Sequence, residues 1–528
     1  MRLRQLREAM CFSSELLNIM PNISRNFDPA AEWKSHIPVP VNEEHPEYLE
    51  LYWKAWELAH DHIKDIPGLP QTPYMDEGAG PYDIWIWDTC FMALFCKYAQ
   101  NRFPGVESFN NFYSVLYDGA KLPVLRHPPT GEDVQFCIHI ADNPPLFAWT
   151  EYENLLMNGD KEHLKALLLE KQYLQKHFDY LENLTEYGTH PPMIRAVTCW
   201  KKHEHGYFWE GGRSGMDNTP RGRKYAPTEV NRPDNKHVLW VDAIAQQALS
   251  ALYIAKLAKI LQEKELEKVW LEKYEILKEK INTFYWDEED GFYYDIVAQT
   301  GEKVKVMTPA SFWVLLAEAA PQERAERMAK YLTDPEKLGG KVPCVTLARD
   351  DADFNGEHGL YWRGAMWVPT AYMTIKALEK YGMKDLAREL SVKILEHMSI
   401  TFQNYTPHTI WECYAPNSCE PSRSCNPSRK VVRKDFCGWS ALAPISLLLE
   451  NLIGIRKADA FDNTLIWDIP EKNQGGLGVY SYKFGDVTAD LLYKNNEINI
   501  SSDKDFSLVV HEKTFSVKAG RNTFKVKE

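Results

Sequence analysis

The strongest constraint on the fold is a succession of helical segments that fills most of the chain after residue 44. Apolar residues recur at helical spacing in twelve stretches, predicted at 46–64, 88–101, 107–118, 142–157, 160–184, 236–262, 265–285, 308–319, 321–333, 363–381, 384–402 and 437–453. No motif repeats at a fixed period, which argues against a solenoid of repeated units. The chain is therefore predicted to be mainly α-helical.

The helical segments are of two kinds, which appear in alternation along the chain. Residues 238–261 and 363–378 are mostly apolar, as expected for helices that are covered on most sides. Residues 265–285 carry their apolar side chains on one stripe, with Lys and Glu elsewhere, which is typical of a helix exposed on one side. Six covered and six exposed helices, joined as successive hairpins, predict an (α/α)6 barrel over residues 45–455.

The two ends of the chain have different patterns. Apolar and polar residues alternate between turn-forming Gly, Asn and Asp at 464–467, 478–484, 488–493, 497–500, 507–511 and 522–527. We expect residues 456–528 to form a small all-β domain that packs on the barrel as a sandwich and holds no catalytic residue. Residues 1–44 are expected to form an N-terminal extension. Its first part, residues 1–26, lacks the continuous apolar core of a signal peptide.

The composition limits the kinds of molecule that the protein is expected to bind. The formal net charge is -13 at pH 7, whereas nucleic acids and anionic membranes call for clustered Lys and Arg. The chain has 17 Trp and 27 Tyr, and flat aromatic rings suit the apolar faces of sugars. Its ten cysteines are scattered, which fits reduced thiols. We expect a cytoplasmic protein that acts on a small carbohydrate and binds neither nucleic acid nor membrane, and its oligomeric state stays open.

Two long connections between predicted helices hold candidate acids, and long ordered loops are usually functional. The connection 187–235 contains the glycine-rich stretch 207–221 with Asp217 near its middle. Glycines let a loop adopt unusual backbone angles, so this loop can bring a carboxyl over the end of the barrel. Taken alone, Asp217 could also be a turn residue that binds its own backbone. The connection 403–434 contains Glu412.

Four further stretches combine aromatic and charged residues: 83–89, 142–145, 361–364 and 411–414. Each lies at or just before the N-terminal end of a predicted helix or inside a long loop, where the helix dipole favours acids. Each also has an ordinary explanation. Asp88 can cap a helix, Arg363 can pack its aliphatic stem on an aromatic ring, and Glu412 can be a solvated loop charge.

In combination these motifs indicate a family. Their order along the chain is W-D-T, P-P, G-M-D-N-T-P-R, Y-W-R-G and an acidic loop before the last helix. This order resembles glycoside hydrolase family 63, which includes processing α-glucosidases and mannosylglycerate and glucosylglycerate hydrolases, and which is related to trehalases. The resemblance covers residues 45–455 and does not include the β domain. It implies an inverting glycosidase on an (α/α)6 barrel.

The resemblance gives Asp217 the position of the family's general acid and Glu412 that of its general base. Inverting hydrolysis needs a protonated carboxyl beside the glycosidic oxygen and a carboxylate that activates water across the sugar, roughly 6.5–9.5 Å away. Trp209 is expected to give the acid apolar surroundings that keep it protonated. Glu420 is a competitor for the base, and Glu210 is a weaker competitor for the acid.

The same resemblance implies a set of substrate-binding residues: Trp85, Asp88, Asn143, Trp209, Asn218, Tyr361, Trp362, Arg363 and Trp411. Charged members would hold sugar hydroxyls through charge-assisted hydrogen bonds, and aromatic members would line the subsite for the non-reducing sugar. Two positions depart from the family. Asn143 stands where Gln is more usual, and Cys413 follows the base where Asn or Tyr is more usual. The sugar, the linkage and the aglycone therefore stay open.

Other functions remain as alternatives. A sugar phosphorylase on the same toroid would use phosphate in place of the base and water, and would need a basic phosphate pocket. A sugar epimerase would need paired histidines in the cleft, and a polysaccharide lyase would need a Tyr or His base with cationic subsites. A sugar-binding module would show no turnover.

No cofactor or metal is expected. The four cysteines that lie near the second long loop, Cys413, Cys419, Cys425 and Cys437, lack the C-x-x-C spacing of a zinc site. The H-E-H sequence at 203–205 lacks the spacing of helical metal ligands. The acidic segment 287–291 is similar to part of a calcium loop, but the aromatic residues after it indicate a β-hairpin turn. Whether calcium binds there stays open.

Overall fold

The computed structural model describes residues 31–78, 80, 82–99, 102–126, 130–139, 142–187, 199–225, 236–425, 428–471, 473 and 475–526. Its α-helices are α1 (Glu47–Asp61), α2 (Ile86–Cys96), α3 (Asn110–Tyr117), α4 (Phe147–Asn158), α5 (Lys161–Lys165), α6 (Tyr173–Glu182), α7 (Gly211–Ser214), α8 (Val241–Ile260), α9 (Lys264–Lys280), α10 (Trp313–Leu316), α11 (Gln322–Ala329), α12 (Val368–Lys380) and α13 (Lys384–Asn404). Helical turns of the π type cover Ala166–Glu170, Ile281–Tyr285 and Leu442–Leu452. Short 3-10 turns cover Ala31–His36, Lys97–Ala99, Val106–Phe109, Arg223–Tyr225, Pro309–Phe312 and Lys330–Leu332.

Short strands lie between the helices. They are β1 (Val39–Asn42), β2 (Ile63–Lys64), β3 (Tyr74–Met75), β4 (Asp83–Trp85), β5 (Val124–Arg126), β6 (Asp133–Gln135), β7 (Cys137–His139), β8 (Lys201–His203), β9 (Gly206–Phe208), β10 (Val238–Leu239), β11 (Trp286–Asp287), β12 (Phe292–Tyr293), β13 (Asp295–Val297) and β14 (Lys303–Val304). The chain ends with β15 (Ile455–Asp459), β16 (Thr464–Trp467), β17 (Leu477–Phe484), β18 (Val487–Lys494), β19 (Glu497–Ser502), β20 (Phe506–Val510), β21 (Lys513–Val517) and β22 (Gly520–Lys525).

Six helical segments contact one another in a closed order. Helix α2 contacts α4, α4 contacts α8, α8 contacts α10, and α10 contacts α12. Helix α12 contacts the segment Leu442–Leu452, which in turn contacts α2. Between them along the chain lie helices that are exposed on one side. For example, nearly every residue of α8 is buried, whereas the next helix, α9, buries only Trp270, Tyr274 and Leu277. The predicted alternation of exposure is thus confirmed for this pair.

Four of the buried helices begin five residues later than the apolar pattern predicts. The predicted starts are 142, 236, 363 and 437, and the observed helices begin at 147, 241, 368 and 442. Before α12 the backbone takes left-handed angles, with φ of 67° at Tyr361 and 128° at Gly364. An α-helix cannot contain such residues. The P-P and Y-W-R-G motifs therefore lie in loops that precede α4 and α12, whereas the W-D-T motif lies in the first turn of α2.

Two sheets follow the last helical segment. One has the strand order β1-β17-β18-β19-β22, and the other has the order β15-β16-β20-β21. Strand β1 comes from the N-terminal part of the chain and pairs antiparallel with β17, with Val39 opposite Tyr480. Part of the predicted N-terminal extension, residues 1–30, and part of the last predicted strand lie outside the described residues. The domain bounds and the sandwich packing stay predictions.

A buried ion network ties the helical ring to the first C-terminal strand. Glu450 is 3% exposed at its side chain, and it lies 2.9 Å from the Nζ atom of Lys376 and 3.1 Å from that of Lys97. Lys376 also pairs with Glu379, which accepts a hydrogen bond from Arg456 on β15. Buried charges are tolerated when each is paired in this way. The network therefore contributes to stability only while its carboxylates are ionised.

The Glu450→Gln variant is expected to lower the free energy of unfolding at pH 7 by on the order of 3 kcal/mol. Burial opposes ionisation, but Lys376 and Lys97 outweigh it and lower the pKa of Glu450 from 4.5 to about 2. The stabilisation is present above about pH 4.5 and is lost as the pH falls towards 2. Denaturant unfolding of both proteins at pH 7 and pH 3 measures this, and an equal loss at both pH values would contradict it. The control is Glu389→Gln in the exposed pair with Lys393, expected within about 0.5 kcal/mol of wild type.

Candidate active site

Asn218 joins the loop of Asp217 to the turn before α12. Its buried amide accepts a hydrogen bond from the Trp362 N–H at 2.8 Å and donates one to the Leu360 carbonyl at 2.9 Å. The Nε atom of Arg363 donates to the Asn218 carbonyl at 3.1 Å. The oxygen and the nitrogen of the amide thus both form hydrogen bonds with the main chain of the neighbouring loop. The structure thus assigns Asn218 a positioning role, and its predicted contact with a sugar stays a prediction.

Asn143 makes a second connection of the same kind. It is 1% exposed, accepts a hydrogen bond from the Trp87 N–H at 3.0 Å, and donates one to the Arg213 carbonyl at 3.2 Å. It therefore links the first turn of α2 to the loop of Asp217. Both polar atoms of the side chain thus bind the main chain. The predicted role of Asn143 in binding a sugar hydroxyl stays a prediction.

Arg221 anchors the far end of the same loop. Its side chain is 1% exposed and makes bidentate hydrogen bonds to Asp242, at 2.7 and 2.8 Å, and to Asp295, at 2.6 and 2.8 Å. The guanidinium lies 4.2 Å from the ring centre of Trp240. These contacts fix the loop to the start of α8 and to β13. Sequence reasoning missed this function, although Arg221 ends the motif that carries Asp217.

Glu412 is buried and held from two sides. Its Oε1 atom accepts a hydrogen bond from the Tyr361 hydroxyl at 2.9 Å, and its Oε2 atom accepts one from the Arg433 N–H at 3.2 Å. The Nη1 atom of Arg433 lies 3.6 Å from Oε1. The Glu412 carbonyl accepts a hydrogen bond from Trp439 Nε1 at 3.0 Å. Arg433 was not singled out from the sequence, because one arginine in a polar loop carries no pattern.

Asp217 and Glu412 both influence the pKa of Asp88. Burial raises the pKa of Asp88 well above its usual range, Asp217 and Glu412 raise it further, and Arg433 acts in the opposite direction. Burial also raises the pKa of the Tyr361 phenol, and the same two carboxylates add to that increase. Asp217 and Glu412 therefore raise the pKa of the same two groups, Asp88 and Tyr361, although the two acids are far apart in the sequence. Asp217 is half-buried.

Four tryptophans pack beside these acids. Trp362 stacks on Trp367 with ring centres 4.0 Å apart, and Trp87 lies 6.2 Å from Trp362. Trp439 lies 5.9 Å from Trp87 and 5.3 Å from Trp367. Gly215 allows this packing, because a Cβ atom there would lie 2.1 Å from the Trp87 ring. Of the four, only Trp362 was predicted as a site residue. The others sit in largely apolar helix starts and look like core residues in the sequence.

Three other predicted aromatic residues lie in different surroundings. Trp209 is fully buried, donates to the Asp142 carbonyl at 3.0 Å and packs against Trp200. Trp411 is 4% exposed, and its ring meets Tyr405 edge-on. Trp85 is half-buried and precedes α2. The predicted sugar contacts of these residues, and the predicted effect of Trp209 on Asp217, stay predictions.

The two competing acids are placed differently from Asp217 and Glu412. The Glu210 carboxylate lies 3.5 Å from the Nε atom of Arg213. Glu420 is half-buried, and its carbonyl accepts a hydrogen bond from the Ala415 N–H at 2.9 Å. Neither acid is among the neighbours that shift the pKa of Asp88 or of the Tyr361 phenol most strongly. Asp217 and Glu412, by contrast, raise the pKa of both groups.

Replacing Tyr361 by Phe is expected to lower kcat by about 10- to 100-fold, because a hydrogen bond to a charged group contributes about 1.5–3 kcal/mol. The change removes one oxygen atom and leaves the ring on Trp367. Steady-state kinetics and the melting temperature measure the effect. Tyr381→Phe is the matched control, because it loses one hydrogen bond to the Ala320 carbonyl at a remote place. Equal kcat values for the two variants would contradict the assignment.

One acidic group in the described part of the chain has the spacing of a metal site. Oxygens of Asp287, Glu289 and Asp290 lie within 4.8 Å of one another. The Nζ atom of Lys305 lies 3.2–3.3 Å from all three carboxylates. An ammonium group thus occupies the position that a cation would take. The predicted hairpin at this turn is confirmed, since Asp287 pairs with Phe292.

The two candidate acids thus lie on separate loops, beside tryptophans at or near the starts of buried helices. Residues 82–428 match the family described as mannosylglycerate hydrolase MGH1-like glycoside hydrolase domain. The chain belongs to this family and is a glycoside hydrolase of the family 63 type, as the sequence motifs predict.

Similar proteins support this assignment. The chain is 26% identical over 499 residues to an uncharacterized protein of Borreliella burgdorferi, and the match covers 90% of this chain and 95% of that protein. It is 32% identical over 181 residues to a mannosylglycerate hydrolase of Thermus thermophilus, covering 34% of this chain and 41% of that enzyme. The structure of a family 63 mannosylglycerate hydrolase from Thermus thermophilus with Tris and D-glycerate shares the fold, with a TM-score of 0.52, 19% identity, and coverage of 75% of this chain and 99% of that one.

The matches define the fold class more firmly than the substrate. Neighbours of the family 63 type have α/α toroid folds, and the helix-rich part of this chain agrees with them. The chain covers less than half of the Thermus sequence and about a fifth of the Kluyveromyces lactis cytosolic neutral trehalase. In the described residues, no helix is long and apolar enough to cross a membrane.

Proposed function

We propose that the protein is an inverting α-glycosidase that removes one sugar from a small glycoside, with Asp217 as general acid and Glu412 as general base. The main supporting observation is that both carboxylates raise the pKa of Asp88 and of the Tyr361 phenol. The two acids lie on separate loops, and hydrogen bonds of Asn218 and Tyr361 connect these loops through the turn before α12. The proposed scaffold is a six-hairpin (α/α)6 barrel with a C-terminal β domain. The closed contact order of the six buried helical segments supports it.

In the proposed reaction, Asp217 donates its proton to the glycosidic oxygen as the bond to the anomeric carbon breaks. Glu412 accepts a proton from a water molecule that attacks the opposite face of the sugar. The hydrogen bonds from Tyr361 and from the Arg433 N–H hold one oxygen each of Glu412. They fix the orientation of the carboxylate towards the water. A pre-set base avoids reorganisation during the reaction.

The proposed substrates follow from the relatives. One relative is a mannosylglycerate hydrolase, and others are trehalases and a mannosyl-oligosaccharide glucosidase. All of these names point to mannose- or glucose-type sugars. Asp88 and Arg363 are proposed to hold hydroxyl groups of that sugar, and Trp362 is proposed to line its subsite. The nine cysteines in the described residues are free thiols, which supports the proposed cytoplasmic location.

The test is a screen of α-linked disaccharides and α-glycosylglycerates, followed by NMR detection of the first anomer released. Inversion predicts that an α-glycoside yields the β-anomer first. Release of the α-anomer would contradict it. Turnover that requires inorganic phosphate and yields a sugar phosphate would favour the phosphorylase alternative.

A further inference from the structure

Glu77 is a buried carboxyl that the proposed mechanism does not use. Its side chain is fully buried, and neither oxygen has a hydrogen-bond partner among the described residues. Of the carboxyl groups in that part of the chain, it is the one with both oxygens in this state. Burying a polar group without a partner is costly. Such a group therefore calls for an explanation.

Glu77 lies in the immediate surroundings of the active site. It follows β3, and its carbonyl oxygen is 3.1 Å from the place where a Cβ atom of Gly438 would lie. Gly438 directly precedes Trp439, one of the four tryptophans that pack beside the acids. The charge of Asp88 contributes to raising the pKa of the Glu77 carboxyl. Asp88 in turn is affected by Asp217 and Glu412.

The segment that carries Glu77 contacts His62. The Nδ1 atom of His62 lies 2.8 Å from the Asp76 carbonyl oxygen, and its Nε2 atom lies 3.2 Å from the Asp435 carbonyl oxygen. The Asp76 N–H donates to the His62 carbonyl at 2.9 Å. One histidine thus ties the residue before Glu77 to the loop that holds Glu412 and Arg433. A carboxyl on such a segment keeps its position relative to the acids.

A comparison with Glu450 separates a ligand-binding role from a structural one. Both carboxyls are buried, but Glu450 is paired with two lysines and two tyrosines. Burial raises the pKa of Glu77 well above its usual range, and Asp76 and Asp88 raise it further. A protonated carboxyl offers an O–H donor as well as an acceptor oxygen. Sugar hydroxyls need that combination, because each can donate and accept.

We propose that Glu77 binds a hydroxyl group of the non-reducing sugar, and that it acts with Asp88 as a pair of carboxyls that selects the sugar. This inference rests on the proposed function, since it assumes a sugar subsite beside Asp217 and Glu412. It adds a residue that determines specificity at the inner end of that subsite. A site that hydrogen-bonds a hydroxyl discriminates strongly against a sugar that lacks it.

The test combines Glu77→Gln with a set of deoxy sugars. Calorimetric binding of mannose and glucose, and of their 2-, 3-, 4- and 6-deoxy forms, is measured for wild type and variant. We expect Glu77→Gln to weaken binding of the preferred sugar at least tenfold, and to change binding of one deoxy form by less than twofold. The melting temperature should stay equal or rise, because an unpaired buried carboxyl is removed. Glu107→Gln, a mostly buried carboxyl outside the site, should bind as wild type does.

Three results would overturn the proposal. In the first, Glu77→Gln binds both sugars with wild-type affinity. In the second, the variant loses the same factor in affinity for every deoxy form and has a lower melting temperature. In the third, the wild-type protein binds neither sugar. Hydrolysis is assayed separately. If the wild type binds the sugars in a Glu77-dependent manner but cleaves no α-glycoside, the proposed function fails while the role of Glu77 in binding stands.

Discussion

The Glu412→Gln variant is expected to lose about 10³-fold or more in kcat on the best α-glycoside, with an unchanged melting temperature. General acid–base groups contribute about 10²–10⁴-fold each, and an amide cannot accept the proton of the attacking water. The amide keeps the shape of the side chain and one oxygen for the Tyr361 hydroxyl. The matched control is Glu420→Gln in the same loop, expected within about threefold of wild type.

The partner variant Asp217→Asn is expected to show a comparable loss that depends on the leaving group. A substrate with a good leaving group, such as a dinitrophenyl α-glycoside, needs no proton at the departing oxygen. Asp217→Asn should therefore recover most of its rate on that substrate, whereas Glu412→Gln should not. Glu210→Gln is the matched control in the same loop. If Asp217→Asn and Glu412→Gln depended equally on the leaving group, the assignment of the two roles would be wrong.

The second large effect is expected at Arg221. Replacing Arg221 by Met leaves Asp242 and Asp295 buried without their cation, which should lower the free energy of unfolding by about 3–5 kcal/mol. The far end of the Asp217 loop would also lose its anchor, so kcat should fall more than the affinity for the substrate. Arg221→Lys keeps the charge but loses the bidentate geometry, and we expect an intermediate loss.

Denaturant unfolding and steady-state kinetics measure both effects of the Arg221 variants. The control is Arg223→Met, two residues further along, whose partner Asp353 is partly exposed. Because partly exposed ion pairs contribute little, that variant should stay within about 1 kcal/mol of wild type. A stable Arg221→Met protein with wild-type kcat would show that the loop does not need this anchor.

The helices could be predicted from sequence because their signal is local. Apolar residues at helical spacing identify a helix whatever its neighbours are, so α9 and the π-type turn after it were found with nearly the right bounds. The helix starts were less accurate. The apolar pattern continues into the entry loops, and the left-handed angles at Tyr361 and Gly364 leave no clear mark in the composition. The predicted α12 therefore began inside the Y-W-R-G motif.

The candidate acids could also be proposed from sequence, because Asp217 and Glu412 lie within motifs of a known family. Their surroundings could not. Asn218 and Asn143 were predicted to bind sugar, whereas the structure shows their amides bound to the main chain of neighbouring loops. The sequence cannot distinguish an Asn that binds a sugar from one that binds the main chain. Only the folded chain shows which donors and acceptors reach it.

The sequence by itself thus determined the class of the protein: a mainly helical chain with β strands at its end, of the glycoside hydrolase type, with two acids in long loops. The tertiary structure decided which residues stand together. It brought Arg433 and Tyr361 to Glu412, Asp242 and Asp295 to Arg221, and Glu77 to the neighbourhood of Asp88. These pairs depend on contacts between distant segments. The periodicity of apolar residues does not predict these contacts. It indicates whether a residue is buried, but not which distant residue it contacts.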